Sequence, residues 1–247
     1  MFHRDGPSFL ELCQQALVGT TEGYDMLAPK FDHTPFRTPD HLLEIVAEQV
    51  GPPGSVDSVL DVCCGTGAGL MQLRQLARQR AVGLDLSQGM LDEAAIRLED
   101  APGEARIELV QGDAMDHPFD EEFDLASCFG AFGHIPEEDE GRFCEAVAKA
   151  LKPGGRFVFL TAGEPNDWDW RVWALRGFNL VMRIRNAVID PPFIMYYLTF
   201  RLAGATRHLE AAGFEVEVLR EVFPAPFTPM VLVVATKKGP LSDPEPG

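Results

Sequence analysis

The sequence predicts an α/β fold built on a doubly wound parallel sheet, and three observations carry that prediction. Short, continuous apolar runs alternate with amphipathic stretches between residues 56 and 162. A strand covered by helices on both faces has no solvent face to make polar, so it reads as an unbroken apolar run. A glycine-rich turn, "CCGTGAG", follows the first run, and the next two runs meet an aspartate at or just past their ends, Asp85 and Asp113. Alternating strands and helices run the strands parallel and gather the loops at their carboxyl ends into one crevice.

Taken in order, residues 7–33 have the pattern of two short helices. "TPDHLLEIVAEQV" offers Thr38 as a cap and Pro39 at the first helical position of a third. "GPPGS" at 51–55 breaks the chain before the alternation begins. The strands are expected at Val56–Val62, Ala81–Asp85, Arg106–Gln111, Phe123–Phe129 and Arg156–Thr161, with helices near 68–80, 88–99 and 137–151. The rhythm then stops for about fifty residues, after which a helix ends at Gly213 and "FEVEVLREV" and "MVLVVATKK" supply a last pair of strands. The division expected is a helical cap at 1–50, a sheet domain at 51–163 and 201–238, an insertion at 164–200 and a disordered Pro/Gly-rich tail at 239–247.

At 247 residues the chain has room for one sizeable α/β domain with an auxiliary cap. A hydrophobic share of 46% beside 24% charged residues is ordinary for a globular protein. The net charge of −17 argues against nucleic acid as a partner, because binding phosphates requires basic neutralisation. Asp5 and Glu11 interrupt any signal-like apolar core, and no run is long enough for a transmembrane helix, so the cytoplasm is the expected compartment. The five cysteines (Cys13, Cys63, Cys64, Cys128 and Cys144) are odd in number and lack CxxC spacing, which points to buried thiols, with no metal site.

The glycine turn carries the first chemistry. In "SVLDVCCGTGAGL" an apolar strand runs directly into Gly65, Gly67 and Gly69, where glycine permits a sharp turn and a close ligand approach. Dinucleotide enzymes use such a turn too, but with GxGxxG spacing and a helix start aimed at pyrophosphate. Here the spacing is GxGxG, and Asp61 lies inside the strand four residues before the first glycine. In "AVGLDLSQGML", Asp85 stands where a carboxylate accepts both hydroxyls of a ribose, flanked by Leu86 and Met90. In "LVQGDAMD", Asp113 is placed to accept from an adenine amine, with Met115 to pack on the ring. Aspartates after two successive strands, beside a glycine turn, suit a nucleoside with free hydroxyls and no phosphate.

The stretches "VLDVCCGTGAG", "GLDLSQGML", "VQGDAMDHPF", "FDLASCFGAFGHI" and "LKPGGRFVFL" run in one order over residues 56–162. In this the chain resembles the class I S-adenosylmethionine (SAM)-dependent methyltransferases, in particular the small-molecule branch with the ubiquinone/menaquinone C-methyltransferases. The resemblance implies a Rossmann-like seven-stranded sheet whose last strand is antiparallel, and SAM as cofactor held by Gly65, Gly67, Asp85 and Asp113. It also implies that Tyr24, in "GYDMLAPKFD", covers the methionine end. Asp61, Thr66, Leu86, Met90, Ala114, Met115, Cys128 and Phe129 complete the candidate cofactor contacts, Phe129 offering an aromatic face to the sulfonium. The Cys63–Cys64 pair departs from the small residues of many relatives and reads as tight packing.

His134 is the one imidazole near the expected reacting centre and is the candidate general base; its alternative is a capping or packing role. Methyl transfer by in-line displacement often needs only alignment and desolvation, so catalysis does not depend on a base. The segment 164–212 holds all three tryptophans, two of the three tyrosines, and six arginines against five acids. An aromatic, locally neutral insertion after strand five lies over the ligand crevice and reads as a helical lid on an apolar acceptor pocket, with Trp173, Phe193, Tyr196, Tyr197 and Phe200 as candidate acceptor contacts. Peripheral membrane contact through this lid and a homodimer are both compatible with its composition, as is added core. "DPPF" at Asp190–Phe193 is similar to a motif of amino-methylating DNA enzymes. That motif belongs after strand four, so a rigid Pro-Pro turn is the reading here.

The function expected is therefore methyl transfer from SAM to a small, lipophilic or aromatic acceptor at oxygen, carbon or nitrogen. Two rivals stay open: a SAM-binding regulatory or assembly protein without turnover, and an NAD-dependent dehydrogenase, which the glycine spacing disfavours.

Overall fold

β1 (Val56–Val62) is buried along nearly its whole length because it lies inside the sheet with both faces covered. The computed structural model describes residues 4–15, 17–34, 36–162 and 170–239. The other strands are β2 (Ala77–Asp85), β3 (Arg106–Gln111), β4 (Phe123–Cys128), β5 (Leu151–Ala162), β6 (Phe214–Leu219) and β7 (Met230–Lys237). They form one seven-stranded sheet in the order β3-β2-β1-β4-β5-β7-β6. β1 to β5 are parallel, and β7 runs antiparallel to both β5 and β6. The strand order reverses between β1 and β4, which opens the crevice expected at a topological switch point.

Period-two alternation sorts the buried side chains into two cores. Phe157 and Phe159 point to one face, where they meet Phe143 of α6 (Glu140–Ala150) and Leu209 of α8 (Leu202–Ala211). Val158 and Leu160 point to the other face. There they share a core with Val46 of α3 (Asp40–Val50), Leu70 of α4 (Ala68–Leu73) and Ala94 of α5 (Gln88–Leu98). Ser87 caps α5 by accepting from Met90 N at 3.1 Å. α1 (Phe9–Gln15) and α2 (Thr20–Phe31) form the amino-terminal cap, and α2 lies against α5. α7 (Trp170–Val188) follows β5, and an extended strap, 189–201, returns from it to α8.

Several boundaries differ from the sequence reading. The helix expected over 68–80 stops at Leu73, passes through a 3-10 turn at Arg74–Leu76, and gives way to β2 at Ala77. Arg, Gln, Leu and Ala favour helix locally, but parallel pairing of Val56 with Ala77 and Ser58 with Arg80 overrides that preference. β5 begins at Leu151 because that residue pairs with Phe123, despite the following "KPGG". β4 ends at Cys128, one residue early, and α3 begins at Asp40 with Pro39 as its extended N-cap. The tail expected from 239 and the start of the insertion, with Trp168, fall almost wholly outside the described residues.

Candidate active site

The crevice is occupied by a cavity of about 850 Å³, roofed by α2, α7 and the strap. Its floor is made at the β1 turn. Gly65 and Gly67 have φ of +52° and +78°, left-handed values that a side chain would strain. A Cβ on Gly65 would meet nothing within 4 Å, so a ligand can lie directly on the backbone there. A Cβ on Gly67 would meet Leu98 at 3.1 Å and Ala94 at 3.2 Å, so the absence of a side chain there seats the turn on α5. Cys64 packs its sulfur into the space left by Gly83, where a Cβ would lie 2.8 Å from it.

Asp61 stands under this turn, 2% exposed and lining the cavity. It accepts from Ser127 Oγ at 2.6 Å. A Cβ on Gly69 would come within 2.6 Å of its carboxylate and 2.7 Å of the Phe129 ring, so only glycine fits there. Burial raises its carboxyl to about 7, with the charge of Asp85 adding to the rise and Ser127 opposing it. The backbone of Leu70 also favours the ionised form. A carboxylate held at the first turn of α4 stands where a pyrophosphate would need to lie, so the turn is built for a ligand without one.

Asp85 ends β2 at the cavity wall. Its oxygens accept from Gly65 N at 2.8 Å and Ser87 N at 2.9 Å, which aims the carboxylate and leaves lone pairs for a ligand. Burial moves its carboxyl upward, partly offset by these backbone donors. Leu86 and Met90 line the wall beside it, and Asp113, Ala114 and Met115 line the next loop. Asp113 holds that loop by accepting from Met115 N at 2.8 Å. Thr66 also lines the cavity, and its hydroxyl donates to Asp32 Oδ1 at 2.7 Å.

His134 and Tyr24 close the far side together. His134 Nδ1 is 2.6 Å from the carbonyl of Ile194, which can only accept, so Nδ1 carries the proton. Nε2 then accepts from the Tyr24 hydroxyl at 2.8 Å. Burial holds the imidazole below its usual range, and burial raises the Tyr24 phenol far above its own. Both ring nitrogens are therefore committed to protein partners. The ring joins the cap, the loop after β4 and the strap at one point.

The candidate acceptor residues divide. Tyr196 and Tyr197 line the cavity. Trp173 does not: it is 61% exposed on the outer face of α7, with Arg176 stacked over its ring. Phe200 is core, 1% exposed and stacked on Phe132 at 4.3 Å. Phe193 lies behind Tyr24, parallel to it at 6.3 Å, and supports the wall without forming it. Cys128 is likewise fully buried below the floor, where Cys63 and burial push its thiol above the usual range; Phe129 and Cys63 line the cavity instead. The sequence reading missed Arg37, Leu175, Ile194, Met195, Thr199 and Met230, all of which line it. Ile194 and Met195 adjoin Tyr196 and were open to inference, whereas Met230 reaches the site only through its antiparallel pairing with Ala162.

Comparison with known proteins agrees with this geometry. Residues 59–155 match a family model described as a methyltransferase domain. A demethylmenaquinone methyltransferase of Symbiobacterium thermophilum is 38% identical over 125 residues, covering 49% of this chain and about half (48%) of that protein. One of Bacillus licheniformis is 30% identical over 176 residues, covering 69% of this chain and 74% of the relative. In fold, the YcgJ protein of Bacillus subtilis superposes with a TM-score of 0.61 at 17% identity, covering 82% of this chain and 100% of that one. The chain belongs to the class I SAM-dependent methyltransferases and within them resembles the quinone C-methyltransferases.

Proposed function

We propose that the chain transfers a methyl group from SAM to a small, lipophilic aromatic acceptor of quinol type, bound under α7 and the strap. The observation that carries this reading is a single cavity with two chemically distinct ends. One end has buried aspartates and a bare glycine backbone; the other has Leu175, Ile194, Met195, Tyr196 and Tyr197. The names of the similar demethylmenaquinone methyltransferases support an acceptor of this class.

The residues present fit SAM. Gly65 gives an unobstructed seat, and Asp85 retains acceptor capacity for ribose hydroxyls. In the proposed roles Asp113 accepts from the adenine amine, Met90 and Met115 flank the ring, Asp61 faces the ammonium of the methionine end and Tyr24 covers that end. SAM supplies a methyl carbon already activated by its sulfonium. The protein is left to align the acceptor, exclude water and present Phe129 near the positive charge. His134 then serves best as the neutral anchor of Tyr24, because a free base needs an uncommitted nitrogen and this ring has none.

The test joins binding to turnover. Calorimetry should find SAM or S-adenosylhomocysteine binding and no NAD binding. Asp85→Ala should weaken cofactor affinity about tenfold or more, each charged hydrogen bond contributing roughly 1.5–3 kcal/mol. Labelled SAM with short-chain hydroquinones and naphthoquinols should yield a methylated product. Full cofactor affinity in Asp85→Ala would remove this placement, and cofactor binding without methylation of any acceptor would favour a regulatory role.

A further inference from the structure

Among the described residues, the acids and arginines that line the cavity are Asp61, Asp85, Asp113, Arg37 and Arg201. The three aspartates belong to the cofactor end. Arg37 is answered by the fold, pairing with Asp32 at 3.2 Å and with Asp40. Arg201 is not. It stands exposed at the rim, at the N-cap of α8, and its guanidinium makes no ion pair or hydrogen bond with a described residue. With 38 acids against 21 lysines and arginines in the chain, a shortage of partners does not explain this. Glu140, the acid held against the preceding residue, is buried and does not line the cavity. It accepts from Phe200 N at 2.7 Å, and its other oxygen lies 3.7 Å from His208.

The chain around Arg201 fixes it at the acceptor end. Thr161 at the end of β5 donates to Phe200 O at 3.5 Å, and Thr199 donates to Phe132 O at 2.9 Å. β5 stands three strands from β2 in the sheet, about 14 Å away at about 4.8 Å per strand, so Arg201 is set apart from Asp85. A second polar group at this end also lacks a partner. Asn179 clamps the backbone of Tyr197, donating to its carbonyl at 2.6 Å and accepting from its N–H at 2.8 Å. Phe178 meets the Tyr197 ring edge-on at 5.0 Å. The ring is thus held, while its hydroxyl bonds to no described residue. Burial raises this phenol, which keeps it a donor. It lies close enough to Tyr24 to add, after burial and Asp85, to the rise of that phenol.

We propose that Arg201 and Tyr197 select an aromatic acceptor that carries an anionic oxygen group, a carboxylate or a phosphate. Tyr197 donates to a ring oxygen, and the Arg201 guanidinium takes the anionic group at the rim. A planar fork of donors matches either group two bonds at a time, which an ammonium does not. Leu175, Ile194 and Met195 supply the apolar wall for the ring. Calling the bound molecule an acceptor rests on the methyl-transfer reading; the preference for an anion does not.

Hydroquinone, 2,5-dihydroxybenzoate and 4-hydroxyphenyl phosphate are titrated by calorimetry into the full chain, with and without saturating S-adenosylhomocysteine. At least one anionic probe should bind about fivefold or more tightly than hydroquinone, and the better of the two identifies the group. Added salt should narrow the gap. Arg201→Gln should bring the ratio of anionic to neutral affinity close to one, and Arg201→Lys should keep part of it. Arg207→Gln, elsewhere on α8 and outside the cavity lining, should keep the wild-type ratio and so controls for loss of charge alone. Tyr197→Phe should weaken all three probes by about threefold or more at an unchanged ratio. Equal affinity for charged and neutral probes, or no binding of either anion, overturns the proposal. So does a wild-type ratio in Arg201→Gln, or its loss in Arg207→Gln. If S-adenosylhomocysteine still binds in those cases, the methyl-transfer reading stands. Anion preference in a protein that binds no S-adenosylhomocysteine would support the selection site while removing that reading.

Discussion

Asp61 shows how far a side chain's chemistry depends on where the strand leaves it. In water its carboxyl would be ionised well below neutrality, but burial inside β1 raises it to about 7. If it faces the ammonium of the methionine end, cofactor binding favours the ionised form. Affinity for S-adenosylhomocysteine is then complete above pH about 7 and falls as pH drops, reaching about a tenfold loss per pH unit at the limit. Calorimetry across this range measures it, and Asp61→Asn should bind more weakly and without that dependence. A slope that persists in Asp61→Asn would place the titration elsewhere, with Asp85, also raised by burial, next in line. His134, whose imidazole burial lowers, has both ring nitrogens held by protein partners.

The strap is held by side chains from several other elements. Asn179 and Asn186 of α7 satisfy the backbone of Tyr197 and Phe193, Thr20 accepts from Ile194 N, His134 donates to Ile194 O, and Tyr196 N donates to Gly133 O at 2.7 Å. A Cβ on Gly133 would meet the Tyr196 carbonyl at 2.6 Å, so that approach needs glycine. Asn179→Ala or Asn186→Ala leaves two backbone groups of the strap without their partner, at about 1 kcal/mol each. The expected result is a several-fold rise in acceptor KM and faster amide exchange over 193–197, with cofactor affinity near wild type. Equal loss of cofactor binding would show that the strap shapes the whole cavity. None of this could be read from the sequence, because α7 is apolar on two faces and periodicity does not say which face is inner. Trp173 and Phe200 were assigned to the pocket on aromatic character alone, and tertiary packing sent one to solvent and the other to the core. By contrast β1, β3 and the aspartates after β2 and β3 were legible, since a strand ending at a glycine turn or an acid has few other readings.

At the scale of the whole molecule, the cap and the sheet domain meet through acids that never touch the cavity. Asp25 accepts from Ser87 Oγ at 2.6 Å and Gly89 N at 2.9 Å, which ties α2 to the loop that carries Asp85. Asp32 accepts from Thr66 in the glycine turn and pairs with Arg37 and Arg97. Cap and cofactor loops are therefore held in one arrangement, and a ligand that bridges them should tighten both. Saturating S-adenosylhomocysteine at about a hundred times its Kd stabilises the folded state by about 2.7 kcal/mol, which corresponds to a rise in Tm of about 5–10 °C for a chain of this size. Asp25→Ala and Asp32→Ala cut the ties while leaving every cavity-lining side chain in place. Both should weaken cofactor affinity several-fold and raise amide exchange over 20–37 in the free protein, and added cofactor should reverse part of that exchange. If affinity and exchange stay at wild-type values, the cap is held by the apolar packing of α2 on α5 alone. Cofactor binding would then be independent of these carboxylates.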